Sequence, residues 1–525
     1  MYKIKWKITF EKHAPVEGYA DVAGEVWHLA PLLPEDRIVS AEAVMALELA
    51  DDERIFINGY QTWTSCPEYT KRSRQRGVGP YPRVIRDHYG MDRYGDYHFI
   101  DYPKKRGVLQ GESWCYFRRG ERFRLIASLN ERPGYTLFRV DANAGTLTVR
   151  RDCAGVKCCG TYHVFDLFFA EGSEDAVFDA WFAEMRIAPR TLRRLAGYSS
   201  WYNRYQDISA ESIRADLEGC SSVLRRGDLF QIDDGWEPFV GDWLETDAKK
   251  FPDGLKPLAG SIHDSGFLAG LWLAPFVCQK GSAIMREHPD WLLMHDGKPW
   301  YCGCNWGGFY ALDIDNPEFE AYLEKTFDRV LNDWGFDLVK LDFLYAAAPY
   351  GDERESRAGR MTRALELLRR LCGDKLILGC GVPVMPAFGL VDYCRISCDV
   401  GLDWNNNFIV RNANRETVST YRAILNSIFR RQLNGRAYLS DPDVFFLRED
   451  NIKLTPEQKY KLATVNSLFG GMLLCSDNMG QYTGEARALY AQLLKNRDAK
   501  NIRVSTGSGL TVSYDTGGTE EILTI

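Results

Sequence analysis

From about Ala196 to Asp477 the chain repeats one unit: a short apolar run of strand character, then a stretch of helical period. The runs "GYSSWY", "DLFQIDD", "FLAGLWLAP", "DLVKLD", "LILGCG", "YCRISCD", "RAYLSD" and "MLLCSD" make eight candidate strands. The clearest helix between them is "NPEFEAYLEKTFDRVLNDWG", in which Asp315 or Asn316 can cap, Pro317 suits the first turn and Gly335 suits the end. Phe319, Tyr322, Leu323, Phe327, Val330, Leu331 and Trp334 recur every three or four residues and form one buried stripe. Eight such units predict an α/β fold built on a central (β/α)8 barrel. The fifth unit is the weakest, because "VPVMPAFGLV" is too short and Pro-rich for a full helix.

The flanks read differently. Residues 1–185 alternate in short runs such as "YKIKWKITF", "RFRLIASL" and "GTLTVRR", broken by Gly, Pro, Asp and Asn, which predicts an N-terminal all-β sandwich domain. The barrel is assigned to 186–495, and 496–525 returns to β alternation as a short C-terminal β segment. Within the first part, "FINGYQTWTSCPEY" is aromatic and turn-rich without a strand or helix period. It is either a packed surface loop or a reach across to a site in another domain.

At 525 residues the chain is too long for one ordinary core. The net charge of −7, with no large basic block, argues against nucleic acid or an anionic membrane as partner. The opening "MYKIKWKITFEKHAPVEGY" has no continuous apolar stretch and reads as a strand rather than a signal peptide. No run of about 18 apolar residues occurs, so no spanning helix is expected. The 14 cysteines are then expected to be free thiols in a reducing cytoplasm. "CAGVKCCG" and "YCGC" lack the paired spacing of zinc sites. Aromatic residues make up 13% of the chain, which suits sugar stacking and equally suits a large aromatic core.

In barrels of this kind the site lies at the carboxyl ends of the strands. Those ends carry Trp201 and Tyr202, Asp233 and Asp234, Trp272, Lys340 and Asp342, Cys380, Arg395 and Asp399, Asp441, and Asp477. Asp441 and Asp477 can be ordinary caps of the following helices. Asp342 is different, because Lys340 shares its face of the strand and no helical pattern follows directly. Arg395, Ser397 and Asp399 share a face by the same period of two. Two strands therefore each bring a cation and a carboxylate to one cleft. Cations lower a carboxylate's pKa while burial and a second carboxylate raise it, so one acid can stay ionised and the other protonated. The plain alternative is two internal salt bridges plugging the barrel. The eight histidines avoid every predicted strand end, which argues against a Ser-His-Asp triad or a His-ligated zinc. No GxGxxG or Walker-type loop follows a strand, so no nucleotide or other cofactor is expected. A Mg²⁺ site at Asp342, Asp399 and Asp441 would be opposed by Lys340 and Arg395.

The segments "LFQIDDGWEPFVGDWLETDAKKFPDGL", "GLWLAPF", "VKLDFLYAAA", "LILGCGVPVMPAFGLVDYCRISCD" and "LSDPDVFFLRED" resemble glycoside hydrolase family 36, the bacterial α-galactosidase family. The resemblance runs from "NGYQTWTSC" near residue 58 to about residue 480. It implies a retaining exo-α-galactosidase acting on terminal α-linked galactose of small oligosaccharides. An α-N-acetylgalactosaminidase or a transglycosylase on the same scaffold is the alternative. Asp342 matches the nucleophile, with Lys340 helping to keep it ionised, and Asp399 matches the general acid/base. Asp233 and Asp234 match the pair that holds the sugar 4- and 6-hydroxyls. Trp272 matches a wall of the sugar subsite, Lys340 and Arg395 hydroxyl ligands, and Cys380 a position near the sugar 2-substituent. Asn305 and Trp306 match a βα loop lining the sugar, and Trp63 an aromatic sent over the site by the β domain. Trp201 and Tyr202 join the substrate-binding set from the first strand end. Two departures stand out: Tyr60 where relatives often have Trp, and a tail shorter than the family's usual C-terminal β domain. The expected partner is an oligosaccharide; the oligomeric state, including a homo-oligomer, is left open.

Overall fold

The computed structural model describes residues 2–79, 81–405, 414–507 and 509–525. Residues 195–475 supply a parallel ring of eight strand positions. These are Leu195–Ser199, Leu229–Ile232, Leu268–Leu273, Leu338–Leu341, Leu376–Gly379, Tyr393–Arg395, Leu439–Asp441 and Met472–Cys475. The seventh breaks at Pro442 and resumes at Val444–Phe445, which pairs with the eighth. The eighth pairs with the first, Leu195 opposite Met472, and the ring closes. Strands such as "LFQI" and "MLLC" are buried at every position, which is why they read as unbroken apolar runs rather than alternating ones. Gly197 is needed in the first strand, because a Cβ there would lie 2.2 Å from the carbonyl oxygen of Leu229 in the neighbouring strand.

The helix predicted after residue 316 runs from Pro317 to Asp328, with the Asn316 side chain accepting from the amides of Glu318 (2.9 Å) and Phe319 (3.2 Å). It then widens into a π turn, Arg329–Asp333, where the sequence neighbours Val330 and Leu331 are both buried. The fifth unit carries only a 3-10 turn, Met385–Ala387, in place of a helix, as its two prolines dictate.

Ahead of the barrel, two antiparallel sheets of seven and five strands face each other across a core that includes Ile8, Ile38, Phe138, Val149 and Phe165. The helix Glu174–Met185 leads from the sandwich to the barrel, and its Trp181 indole donates to the Ser128 carbonyl at 2.8 Å. After the barrel come three antiparallel strands, Lys500–Ser505, Thr511–Thr516 and Thr519–Thr524. This sheet touches the sandwich through Arg118, which donates to the Thr506 hydroxyl at 3.0 Å. All 14 cysteines are free thiols. Among the described residues no helix is long and apolar enough to cross a membrane.

Candidate active site

A cavity of about 370 Å³ opens at the carboxyl ends of the barrel strands. That is the size range of small-ligand pockets. It gathers ten of the residues singled out from the sequence: Asp233 and Asp234, Lys340, Asp342 and Asp399, Trp63, Trp201, Trp272, Asn305 and Trp306. Tyr202, Cys380 and Arg395 stand immediately behind its wall, each almost fully buried.

On the floor, Asp342 follows the fourth strand and is held by two donors. The Trp272 indole N–H reaches its Oδ2 at 3.3 Å and the Phe343 amide reaches its Oδ1 at 2.8 Å. Phe343 takes a left-handed φ of 53°, and Trp306, which meets its ring edge-on at 5.1 Å, takes 54°. Strain at non-glycine residues of this kind collects where side chains must be aimed. The Lys340 ammonium makes its hydrogen bond to Asp233 Oδ2, at 2.9 Å, and not to Asp342. Burial works against the Lys340 charge, but Asp233 and then Asp342 outweigh it and raise its pKa. Gln231 also donates to Asp233 Oδ2, at 2.8 Å, so this carboxylate is anchored on its inner side.

Asp234 accepts from the Trp306 indole and from Gln206, each at 2.9 Å. Burial raises its pKa, partly opposed by a hydrogen bond from Glu237, which the sequence reading passed over. Burial and then the Asp234 charge push Glu237 well above the usual carboxylate range, so Glu237 is the proton-bearing partner of that bond. Its place three residues on in "DDGWE" is the signal that could have found it.

The second acid group sits at the sixth and seventh strands. The sixth strand ends at Arg395, so Asp399 is reached by irregular backbone and not by the strand alternation expected from the sequence. Arg395 nevertheless meets Asp399 at 2.9 Å, Asp441 at 2.8 Å and Asp443 at 2.9 Å. Its guanidinium occupies the point where these acids converge, which leaves no place there for a cation. Asp441 is thus a partner of Arg395 rather than a helix cap. Asp477, by contrast, accepts from the amides of Leu447 (2.6 Å) and Arg448 (3.1 Å) and organises a loop away from the cavity. The Asp399 side chain is 40% exposed and lines the cavity. Burial, followed by the Asp443 charge, pushes Asp399 up to about 6. Tyr202 points its hydroxyl at Asp443, 2.6 Å away, rather than into the cavity. Cys380 lies under the floor, its thiol pushed up by burial and then by the Asp342 charge.

The aromatic loop of the sandwich does reach the barrel. The Thr62 amide donates to the Val382 carbonyl at 3.0 Å, and Trp63 meets Phe343 and Tyr345 edge-on at 5.2 and 5.9 Å. Arg430, fully buried, clamps the loop by donating to Asn58 Oδ1 and to the carbonyls of Gly59, Gln61 and Thr62. The rest of the wall was not foreseen. Tyr89, Met91 and Tyr94 come from the sandwich side, and Asn414 and Glu416 from the segment after the sixth strand. Tyr89 ends a short helix, Arg83–Tyr89, that has no buried face, and the others lie outside strands and helices, so no pattern marked them.

Residues 196–364 match the Melibiase family model. The α-galactosidase of Escherichia coli is 33% identical over 199 residues, 36% of this chain and 26% of that protein, so the match spans about a quarter of that relative's length. Over the whole chain, the structure of TtGalA, the α-galactosidase from Thermus thermophilus in complex with p-nitrophenyl α-D-galactopyranoside, is similar with a TM-score of 0.76. The identity there is 25%, covering 98% of both chains. The family 36 α-galactosidase AgaA from Geobacillus stearothermophilus shares the fold at 14% identity with a TM-score of 0.61, covering 95% of this chain and 70% of that one. A β-sandwich feeding an aromatic loop over the carboxylate-lined mouth of a (β/α)8 barrel is the architecture that the chain shares with these α-galactosidases. Over residues 196–364 the chain is similar in sequence to the Melibiase family, and over nearly its whole length it is similar in fold to these α-galactosidases.

Proposed function

We propose that the protein is a retaining exo-α-galactosidase that removes terminal α-linked galactose from small oligosaccharides by double displacement. One observation carries the reading: two carboxyl groups face the same cavity in opposite settings. Asp342 accepts from two fixed donors, while Asp399 is raised to about 6 beside a second carboxylate. The first suits an ionised nucleophile and the second an acid that can give up its proton near neutrality. In the first step an Asp342 oxygen bonds to the anomeric carbon while the bond to the leaving oxygen breaks, and Asp399 gives that oxygen its proton. In the second, Asp399 takes a proton from water, the water oxygen bonds to the anomeric carbon, and the bond to Asp342 breaks. Both acids end as they began.

Asp233 and Asp234 supply acceptors for sugar hydroxyls, with Lys340 as a donor beside them. Trp63, Trp201, Trp272 and Trp306 supply apolar walls for a sugar ring. The p-nitrophenyl α-galactoside bound to the Thermus relative supports the choice of sugar. The test is initial rates on p-nitrophenyl α-galactoside, α-N-acetylgalactosaminide and α-glucoside, with Asp342→Asn alongside. The reading requires preference for the galactoside and loss of turnover in Asp342→Asn, with external azide restoring some turnover as inverted product. Near-normal hydrolysis by Asp342→Asn would sink it.

A further inference from the structure

Asp443 has no part in the steps above, yet it is built into them. It follows Pro442 at the break in the seventh strand and takes a left-handed φ of 74°. That turn aims its carboxyl behind Asp399. Its Oδ2 accepts the Tyr202 hydroxyl at 2.6 Å and the Val400 amide at 2.9 Å, and its Oδ1 lies 2.9 Å from Arg395. Val400 directly follows Asp399, so Asp443 is tied to the backbone of Asp399 as well as to its cation.

Three carboxyl groups therefore face one guanidinium. With all three ionised, this cluster would carry a surplus of two negative charges with two of its carboxyl groups fully buried, a surplus that burial disfavours. One of them is expected to hold a proton. Asp441 and Asp443 are fully buried against Arg395, and Asp443 has two further donors. Asp399 takes its bond from Arg395 and projects into the cavity.

We propose that Asp443 is a positioning residue for Asp399: fixed as an anion by Tyr202 and the Val400 amide, it shares Arg395 and keeps a proton on the Asp399 carboxyl. The inference rests on Asp399 being the acid/base. The other charges facing Asp399 are Arg395 and Lys340, which favour its anion, and Asp342, which opposes it. Cys380 and Tyr202 also face it, both held neutral by burial, as does the partly exposed Tyr205, whose pKa is raised as well. Burial raises Asp443 too, so the two acids titrate as a pair and the donors decide which keeps the proton.

The sign follows. The acid form of Asp399 is needed to expel an oligosaccharide leaving group, so kcat/KM falls as pH rises through about 6. Asp443→Asn removes the competing charge, and Asn is the side chain best suited to a left-handed φ after glycine. The limb on the alkaline side should move down by about one pH unit, a loss of about tenfold in kcat/KM above it. Tyr202→Phe frees Asp443 to compete for the proton and should move the limb the same way.

The experiment is kcat/KM against pH on raffinose for the native enzyme, Asp443→Asn, Tyr202→Phe and Asp399→Asn. α-Galactosyl fluoride, whose leaving group needs no proton, serves as the control substrate without that limb. A downward shift in Asp443→Asn and Tyr202→Phe supports the proposal. A limb that stays in place while only its height drops makes Asp443 structural and overturns it, and Tyr202→Phe decides if Asp443→Asn does not fold. Asp399→Asn separates the two readings. If the limb survives there, Asp399 is not the acid. If it vanishes there but stays put in Asp443→Asn, only the role of Asp443 falls.

Discussion

Replacing Arg430 with Met tests how the sandwich loop is held over the cavity. The Arg430 guanidinium donates to six neutral acceptors: Asn58 Oδ1 (3.0 Å), Cys66 Sγ (3.2 Å) and the carbonyls of Gly59 (3.3 Å), Gln61 (3.2 Å), Thr62 (2.7 Å) and Ile396 (2.9 Å). Three of these keep another donor in the variant, Cys66 Sγ retaining the Gly59 amide at 3.0 Å. The Ile396 carbonyl retains the Asn426 amide and the Gln61 carbonyl retains the Thr64 amide. Asn58 Oδ1 and the carbonyls of Gly59 and Thr62 lose the donor that Arg430 supplies, at about 1–3 kcal/mol for each buried acceptor. Relief from no longer burying a guanidinium offsets part of that sum, leaving a net loss of about 2–5 kcal/mol. Met matches the aliphatic stem, so little of the loss comes from packing. Scanning fluorimetry should show a fall of several degrees in apparent Tm. Steady-state kinetics on p-nitrophenyl α-galactoside should show a raised KM with a smaller change in kcat, because Trp63 loses its fixed position. An unchanged Tm and KM would refute the clamp; a lower Tm with an unchanged KM would refute the role of the loop at the cavity.

Two other substitutions probe the same wall. Gly381 holds a φ of 54°, and a Cβ there would lie 2.8 Å from the Trp63 ring, so Gly381→Ala should cost about 1–2 kcal/mol and raise KM by displacing that ring. Native KM in the alanine variant would contradict the packing. Glu237→Gln keeps a donor toward Asp234 and should bind substrate nearly as the native protein does, whereas Glu237→Ala should raise KM several-fold. Equal KM values in the two variants would show that the proton on Glu237 does not matter.

The barrel was legible because parallel strands buried on both faces leave continuous apolar runs, and polar residues collect where those runs end. Asp342 could be singled out for the same reason, as a charge where the pattern of "DLVKL" calls for an apolar residue. What the sequence hid was pairing. Lys340 lies two residues from Asp342 but spends its bond on Asp233, more than 100 positions away in the chain. Ile396 and Cys398 alternate with polar neighbours as a strand would, which disguised the early end of the sixth strand at Arg395. Asp443 stands beside Pro442 in what looks like a plain turn, and only the closed ring shows it facing Arg395. The sandwich-side wall at Tyr89, Met91 and Tyr94 is the end of a short helix with no buried face and the turns that follow it, and no apolar periodicity announces such a segment.

The most direct measurement is the site of covalent attachment. A fluorinated α-galactosyl fluoride, which slows the second displacement more than the first, is incubated with the enzyme, and the adduct is mapped by mass spectrometry of its peptides. Asp342 as nucleophile requires one galactosyl residue per chain, attached to the peptide carrying "VKLDFLY" at Asp342, with galactose released from normal substrates first as the α-anomer. An adduct on Asp399, or no adduct together with first release of the β-anomer, would contradict it.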